Sequence, residues 1–217
     1  MIRFTKRGVE MTASGAALQQ AKAEFEERRL LHLPGLLAPD VIDWVRQGLE
    51  RDGFEEPPEL EAGSPDAVYR GAYQGGKVGQ DLCPGETSSW VTERTNDAKL
   101  LEFVANITGS PPLSRCIGRV FRIFPMAEDL PWHTDAEGGR LADLIINLNS
   151  VPHDGGVFQM RDQRSQEIFN EVGETAFGDG LLIRISPAIE HHYKAITGSI
   201  PKITFSGWFV PKAAQPS

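Results

Sequence analysis

Cysteine is scarce in this chain of 217 residues, which contains only Cys83 and Cys116. The two cysteines are far apart and form no CxxC pair, so a disulfide framework or a cysteine-based zinc site is not expected. We predict two free thiols in a reducing compartment. The chain also lacks an apolar run of about 18 residues, and its first residues lack the apolar core of a signal peptide. These absences predict a cytoplasmic protein with no membrane partner.

Positive charge is also limited. The chain has 22 Lys and Arg against 30 Asp and Glu, a formal net charge of −8, and no dense basic block. Because binding to a phosphate backbone requires clustered positive charge, a nucleic-acid partner is not expected. The length suits one domain with a sizeable core. The sequence does not predict an oligomeric state.

The first half of the chain has helical patterns. Residues 12–29 are rich in helix formers, and a second helix is expected to begin at Pro39, followed by apolar residues spaced for one buried face. A third helix is expected after Asn96, which we predict as its N-cap, and should end at Gly109. We therefore expect helices before any large sheet.

Residues 53–90 hold many Pro and Gly residues and show little periodicity, which predicts loops with short ordered pieces. A loop of this length in a compact domain is often functional, so it could cover a site, although a solvated insertion explains it equally well. Four residues of this segment could line a substrate cleft: Tyr69, Arg70, Tyr73 and Lys77.

After Pro112 the chain consists of short β-rich runs separated by Gly, Pro, Asp and Asn. Such runs at this spacing are typical of a β-sandwich or barrel. We therefore predict one α+β domain over residues 1–217. Residues 1–112 would provide helical support and variable loops, and residues 113–211 would form the β-core.

The strongest chemical signal is His133-Thr134-Asp135, together with a histidine pair at His191 and His192. In an extended segment, residues two apart point to the same side, so His133 and Asp135 can share one face. A third ligand from a distant strand would complete a set of two histidines and one carboxylate, which holds Fe(II) and leaves open positions. A lone His-x-Asp is weak evidence, so the prediction depends on the surrounding sequence.

The order of motifs resembles the Fe(II)/2-oxoglutarate-dependent oxygenases, and in particular the small bacterial members of their prolyl-hydroxylase-like branch. An Arg-containing strand leads into WHTD, and an apolar strand ending in NLN follows. Then come the motifs GGVF, GDGLL, HHYKAI and KITFSGWF, so the resemblance covers about residues 115–210. It implies a double-stranded β-helix (jelly-roll) core with N-terminal helices packed against it.

The resemblance also implies the metal ligands. His133 and Asp135 match the first two ligands of iron, and the third is His191 or His192. The family pattern around the third histidine fits better from His191, whereas the spacing to Lys202 slightly favours His192. Neighbouring side chains of a strand point to opposite faces, so only one of the two can ligate.

At the position of the family's cosubstrate-binding arginine the chain has Lys202, followed by Thr204. If residues 202–209 form a strand, alternation places Lys202 and Thr204 on a polar face opposite an apolar one. Lysine cannot form the two-pronged contact of arginine. Either Lys202 with Thr204 holds the distal carboxylate of 2-oxoglutarate, or Arg184 or Arg122 does so. Asn147 is a further candidate for contacting the cosubstrate, or else a structural amide.

Three residues near the predicted ligands are candidates for contacting substrate. Arg140 could bind a carboxylate or phosphate, Arg122 could bind an anionic group, and Trp132 could contact substrate or pack at the mouth of the barrel. By contrast, His32 and His153 are expected to be structural. Because Asp135 occupies the carboxylate position that halogenating relatives lack, the resemblance implies hydroxylation or a related oxidation.

The resemblance implies an oxygenase that uses Fe(II), 2-oxoglutarate and O2 and releases succinate and CO2. Its substrate would be a small molecule or an amino-acid-like compound, and a protein or peptide side chain is possible. The alternative is a cupin-like metal-binding or sensing domain without turnover, which would not need a cation at Lys202.

Overall fold

The computed structural model describes residues 1–55 and 80–212, and within them the chain folds into helices and antiparallel sheets. The helices are α1 (Gly15–Arg28), α2 (Pro39–Asp52), α3 (Glu86–Thr95) and α4 (Ala98–Thr108). The helices predicted within 12–29, from Pro39 and before Gly109 are confirmed. The described helices include none that is long and apolar enough to cross a membrane.

Most strands follow the helices, as expected, although four precede α3. In chain order they are β1 (Ile2–Thr5), β2 (Gly8–Met11), β3 (Leu30–Leu33), β4 (Gln80–Leu82), β5 (Leu113–Ile123), β6 (Ala142–Asn147), β7 (Asp154–Gly155), β8 (Phe158–Asp162), β9 (Ile168–Val172), β10 (Gly180–Arg184), β11 (Ile189–Tyr193), β12 (Ile196–Thr197) and β13 (Lys202–Pro211).

The strands form one large sheet and several small ones. The large sheet has six strands in the order β3-β10-β6-β13-β5-β4, and a second sheet has the order β11-β8-β9. The pairs β1-β2 and β7-β12 form separate two-stranded sheets. Because β3 and β4 come from the N-terminal half, that half also contributes strands to the large sheet.

One face of the large sheet packs against the helices. Phe205 and Phe209 of β13 are fully buried and belong to a core cluster that also contains Phe25 of α1 and Ile107 of α4. These two residues alternate along β13 with polar residues, which places the polar residues on the opposite face. The helices therefore cover the outer face of the large sheet.

The other face of the large sheet packs against the three-stranded sheet. Ile145 of β6 and Leu181 of β10 share a core cluster with Phe158 of β8 and Tyr193 of β11. We call this the inner face of the large sheet. The predicted polar side of β13, which contains Lys202, points into this region between the two sheets.

Two details of the N-terminal half differ from the prediction. Asp97, not Asn96, caps α4, because its side chain accepts a hydrogen bond from the Lys99 N–H. Asn96 instead links α3 to β5 through a reciprocal contact with the Cys116 backbone. Helix α3 begins at Glu86, inside the segment 53–90 predicted as loops with short ordered pieces, and ends beyond it at Thr95. The proposed cleft residues Tyr69, Arg70, Tyr73 and Lys77 lie outside the described residues.

Candidate metal centre

A short backbone bridge brings the two halves of the predicted site together. His133 and His191 exchange hydrogen bonds between their main chains, with N···O distances of 3.2 and 2.9 Å. Strand β11 is itself held in register by β8, where His191 lies opposite Met160. The backbone thus places two residues that are distant in sequence side by side.

The side chains of His133, Asp135 and His191 converge between the sheets. Their potential ligand atoms all lie within 4.8 Å of one another. The Nε2 atom of His191 lies 3.4 Å from the Asp135 carboxylate. His133 Nδ1 lies 2.9 Å from the Pro131 carbonyl oxygen, a hydrogen bond that places the ring proton on Nδ1. Nε2 is then the nitrogen of His133 that has a lone pair for a metal.

The electrostatics of the cluster favour the protonation states that a metal requires. Burial opposes ionisation of Asp135, but the hydrogen bond from His191 and the charges of both histidines lower its pKa to about 2. Burial, reinforced by His191, lowers the pKa of His133. A carboxylate and a neutral imidazole are the forms that coordinate metal ions.

His192 points away from this cluster and has a structural role. Its Nδ1 lies 2.9 Å from the Leu130 carbonyl and its Nε2 lies 2.9 Å from Gln159 Oε1, so both ring nitrogens have partners. Its ring stacks on Trp132 at a centroid distance of 3.7 Å. The structure therefore brings His191, and not His192, to His133 and Asp135, and it shows Trp132 as a packing partner.

Asp135 is held by two further residues. Trp208 on β13 donates a hydrogen bond from Nε1 to its Oδ2 at 2.8 Å. Arg140 lies 3.6 Å from its other oxygen and stacks over the Trp208 ring at 3.7 Å. The side chain of Arg140 is only 10% exposed. Arg140 therefore lies beside the cluster, and its contact with substrate stays a prediction.

A second buried carboxylate, Asp143, lies on the inner face of β6 and was not predicted. It is opposite Trp208 in β13 and is 2% exposed. Burial raises its pKa to about 6, and the charge of Asp135 acts in the same direction. An aspartate inside the apolar run LADLIINL was the available sequence signal, because such runs rarely contain a buried carboxylate.

Lys202 and Thr204 lie deeper between the sheets, where they line a small cavity with Asn147 and Tyr193. Lys202 is 8% exposed, and burial lowers the pKa of its ammonium group to about 8. Its Nζ lies 3.2 Å from His153 Nε2, and no carboxylate in residues 1–55 and 82–212 forms an ion pair with it. Sequence reasoning missed both Tyr193 and the role of His153 as a neighbour of this lysine.

The polar side chains beside Lys202 are partly engaged with the backbone. Thr204 donates to the Ile146 carbonyl at 3.0 Å. Asn147 donates to the Thr175 carbonyl and accepts a hydrogen bond from the Asn149 N–H. The cavity measures about 20 Å³, room for about one water. A five-carbon diacid therefore enters only if lining side chains move apart.

Neither candidate arginine lies in this cavity. Arg184 is on the outer face of β10, where it contacts Glu26 at 2.6 Å and the Phe25 ring of α1. Arg122 stacks on Phe54 and Phe124 on the face opposite to Lys202. Alternation along β10 and β5 points both guanidinium groups away from the inner face. Among the residues that the structure describes, Lys202 is therefore the cation that lines the cavity.

The fold and the cluster together define a class of protein: an α+β chain with two histidines and one carboxylate placed between antiparallel sheets. No protein-family model and no curated protein sequence matches the chain. Solved structures do match. One is an oxidoreductase of the 2OG-Fe(II) oxygenase family from Burkholderia pseudomallei, with a TM-score of 0.61 and 15% identity, covering 92% of this chain and 94% of that one.

Two further structures show the same likeness. A Trichoplax adhaerens prolyl hydroxylase in complex with a hypoxia inducible factor peptide has a TM-score of 0.62 and 12% identity, covering 94% of this chain and 99% of that one. The epimerase SnoN, in complex with Fe3+, alpha ketoglutarate and nogalamycin RO, has a TM-score of 0.59 and 15% identity, covering 94% and 88%. The chain therefore has the fold of 2OG-Fe(II) oxygenases, including prolyl hydroxylases.

Proposed function

We propose that this protein is a non-haem Fe(II)- and 2-oxoglutarate-dependent dioxygenase that hydroxylates a small-molecule or amino-acid-like substrate. The observation that carries the proposal is the convergence of His133, Asp135 and His191 in a chain with the oxygenase fold. Two imidazoles and one carboxylate on one side of a metal are the ligand set of non-haem Fe(II) oxygenases. We propose these three residues as the iron ligands.

The surroundings of the cluster suit this role. Pro131 orients His133 through its carbonyl, and Trp208 orients Asp135 through its indole N–H. Hydrogen bonds of this kind from outside the ligand set fix ligand geometry and tautomer. When bound, iron and 2-oxoglutarate would supply the activation of O2 that oxidises a substrate C–H bond, with succinate and CO2 as co-products.

We propose that Lys202 binds the distal carboxylate of 2-oxoglutarate. A buried ammonium group without a carboxylate partner among the described residues is costly, and an anionic ligand would remove this cost. The long stem of lysine lets it retract when a ligand enters the cavity. Thr204 and Asn147 line the same cavity and are proposed as further contacts.

Arg140 is our candidate for the residue that meets the substrate. Its guanidinium lies beside Asp135 and over the Trp208 ring. Once the charge of Asp135 is shared with a metal, Arg140 becomes available for an anionic group of the substrate. Of the solved structures with this fold, one is in complex with a peptide and another with the small molecule nogalamycin RO. A protein side-chain hydroxylase therefore remains our second proposal for the substrate class.

We also propose that the two facing sheets are the halves of a double-stranded β-helix. The mixed inner core of Ile145, Leu181, Phe158 and Tyr193 supports this arrangement. In this proposal the whole chain is one domain. Residues 113–211 carry the metal site, and the preceding residues support the sheet and shape the substrate cleft.

The test is succinate formation from 2-oxoglutarate by protein loaded with Fe(II) under anaerobic conditions and then exposed to O2. We expect wild type to form succinate slowly without substrate. His133→Ala and His191→Ala should fall to the level of protein-free buffer, because each removes a ligand. Lys202→Met should require much more 2-oxoglutarate for the same rate.

The matched control is His192→Gln, which changes the adjacent histidine and can still hydrogen bond with its surroundings. It should retain succinate formation. Activity lost in His192→Gln and retained in His191→Ala would overturn the ligand assignment. Tight metal binding in wild type without any succinate would favour the alternative, a metal-binding or sensing domain without turnover.

A further inference from the structure

Asp143 lies on the inner face of the large sheet, close to the proposed metal ligands but outside their set. Its register partners are Trp208 on β13 and Ile183 on β10. Trp208 donates its indole N–H to Asp135 at 2.8 Å. One aromatic residue thus contacts a proposed ligand and lies directly beside the second carboxylate.

The Asp143 carboxylate is held in a fixed orientation by β13. Its Oδ1 accepts a hydrogen bond from the Gly207 N–H at 2.8 Å, and both of its oxygens contact Ser206 Oγ, at 3.2 and 3.0 Å. It interacts electrostatically with both Asp135 and His191. A carboxylate held in this way cannot swing away from the metal site without losing these bonds.

The charges of Asp143 and Asp135 are compensated differently. Within residues 1–55 and 82–212, Lys and Arg form no ion pair with Asp143, whereas Asp135 has Arg140 beside it. Buried carboxylates are normally paired with a cation or a metal. With neutral histidines, Asp135, Asp143 and Arg140 together leave a net negative charge beside the proposed metal ligands, which favours binding of a cation.

We propose that Asp143 is an outer carboxylate of the metal site: it strengthens binding of a divalent cation and weakens binding of any further anion to that cation. This inference rests on the proposed metal site. Its physical basis is Coulomb attraction and repulsion in a buried region, where charges are poorly screened. Asp143 would act on the metal as a positioning residue, through the field of its charge.

The first test compares binding of Co(II) to wild type and Asp143→Asn, measured by titration calorimetry without 2-oxoglutarate. The asparagine has the same shape and can still accept from Gly207, but it lacks the charge. We expect binding to weaken about tenfold or more, the range found for groups just outside a ligand set. Ser206→Ala is the matched control, since it keeps the charge, and should change the affinity much less than Asp143→Asn does.

The second test measures binding of oxalate, a small chelating dianion, to protein saturated with Co(II). Asp143→Asn should bind oxalate more tightly than wild type, because a negative charge near the cation has been removed. A general loss of structure would weaken both cobalt and oxalate binding. Loss of the Asp143 charge, by contrast, should weaken Co(II) binding and strengthen oxalate binding.

The outcomes separate this inference from the proposed function. If wild type and Asp143→Asn bind Co(II) and oxalate equally well, the inference fails and the metal site stands. If wild type binds no Co(II), both fail. Should the asparagine variant not fold, Asp143→Ser, which is smaller and also uncharged, provides the same comparison.

Discussion

At the scale of single residues, the neighbours His191 and His192 have opposite environments. His191 turns to Asp135, at 3.4 Å. His192 turns to the other side of β11, where Leu130, Gln159 and Trp132 use both ring nitrogens and one ring face. His191 is therefore placed to bind a metal together with Asp135, whereas His192 is placed to stabilise the fold.

This contrast predicts that one variant loses mainly stability and the other mainly metal binding. His192→Ala should lower the free energy of unfolding by about 2–4 kcal/mol, because it removes a buried ring that contacts the Leu130 carbonyl and Gln159 Oε1. It should still bind Co(II). His191→Ala should lose Co(II) binding with a smaller loss of stability. Urea unfolding and metal titration of the two variants would test this, and a variant that lost both properties equally would contradict it.

The buried lysine makes a prediction about pH. Because burial lowers the pKa of Lys202 to about 8, its positive charge is present below that pH and lost above it. Binding of 2-oxoglutarate to the Mn(II)-loaded protein should therefore be about tenfold weaker at pH 9 than at pH 7. Calorimetric titrations across this range would measure it.

Lys202→Arg is the control for this prediction, because arginine stays charged over the whole range. Its 2-oxoglutarate affinity should vary much less between pH 7 and pH 9. His153, Glu174 and Tyr193 are other titratable groups near Lys202. An equal decline in wild type and Lys202→Arg would assign the pH dependence to a group other than the lysine.

At the scale of elements, the pairing of β5 with β13 positions the site. It places Gly118 opposite Gly207 and sets the register of Lys202, Ser206 and Trp208 on the inner face. A Cβ atom added at Gly118 would lie 2.3 Å from the Phe205 ring and 2.7 Å from the Gly207 backbone. The two strands can pack with Phe205 beneath them only if this position has no side chain.

Gly118→Ala should therefore lower the free energy of unfolding by about 1–3 kcal/mol, the usual effect of overpacking. Gly173→Ala is a matched control, because an added Cβ there has nothing within 4 Å. That variant should stay within about 0.5 kcal/mol of wild type. Urea unfolding would compare the two variants. Equal free energies of unfolding would show that β5 and β13 accommodate the added methyl group without loss of stability.

At the scale of the whole molecule, the ionised form of Asp143 lowers the stability of the metal-free protein. Burial and Asp135 raise the pKa of Asp143 from 3.8 to about 6. Between pH 3.8 and about pH 6, Asp143 is therefore protonated in the folded state and ionised in the unfolded state. The contribution of Asp143 to stability therefore increases as pH falls through this window and is least favourable above pH 6.

Asp143→Asn should therefore make the metal-free protein more stable at pH 7, by about 1–3 kcal/mol. The difference from wild type should shrink as pH falls from 6 toward 4, because wild-type Asp143 becomes protonated. Urea unfolding of both proteins in a chelator, at a series of pH values, measures the difference directly. A variant less stable than wild type at pH 7 would refute this account.

Much of the architecture follows from local patterns. The helical repeat after Pro39, and Gly109 after α4, predicted those helices because side-chain periodicity and terminal residues act over a few positions. Alternation along β13 correctly separated its polar and apolar sides. Helix α3 was not predicted, because its sequence has only a weak apolar stripe.

The sequence by itself determined the kinds of groups available: His133 and Asp135 two apart, two later histidines, and a lysine in a polar strand face. Only the tertiary structure decided which of them meet. The bridge between His133 and His191 settles which histidine faces Asp135, and the strand order turns Arg184 outward and Asp143 inward. These contacts join residues distant in sequence, so they depend on strand order and register, which local patterns do not encode.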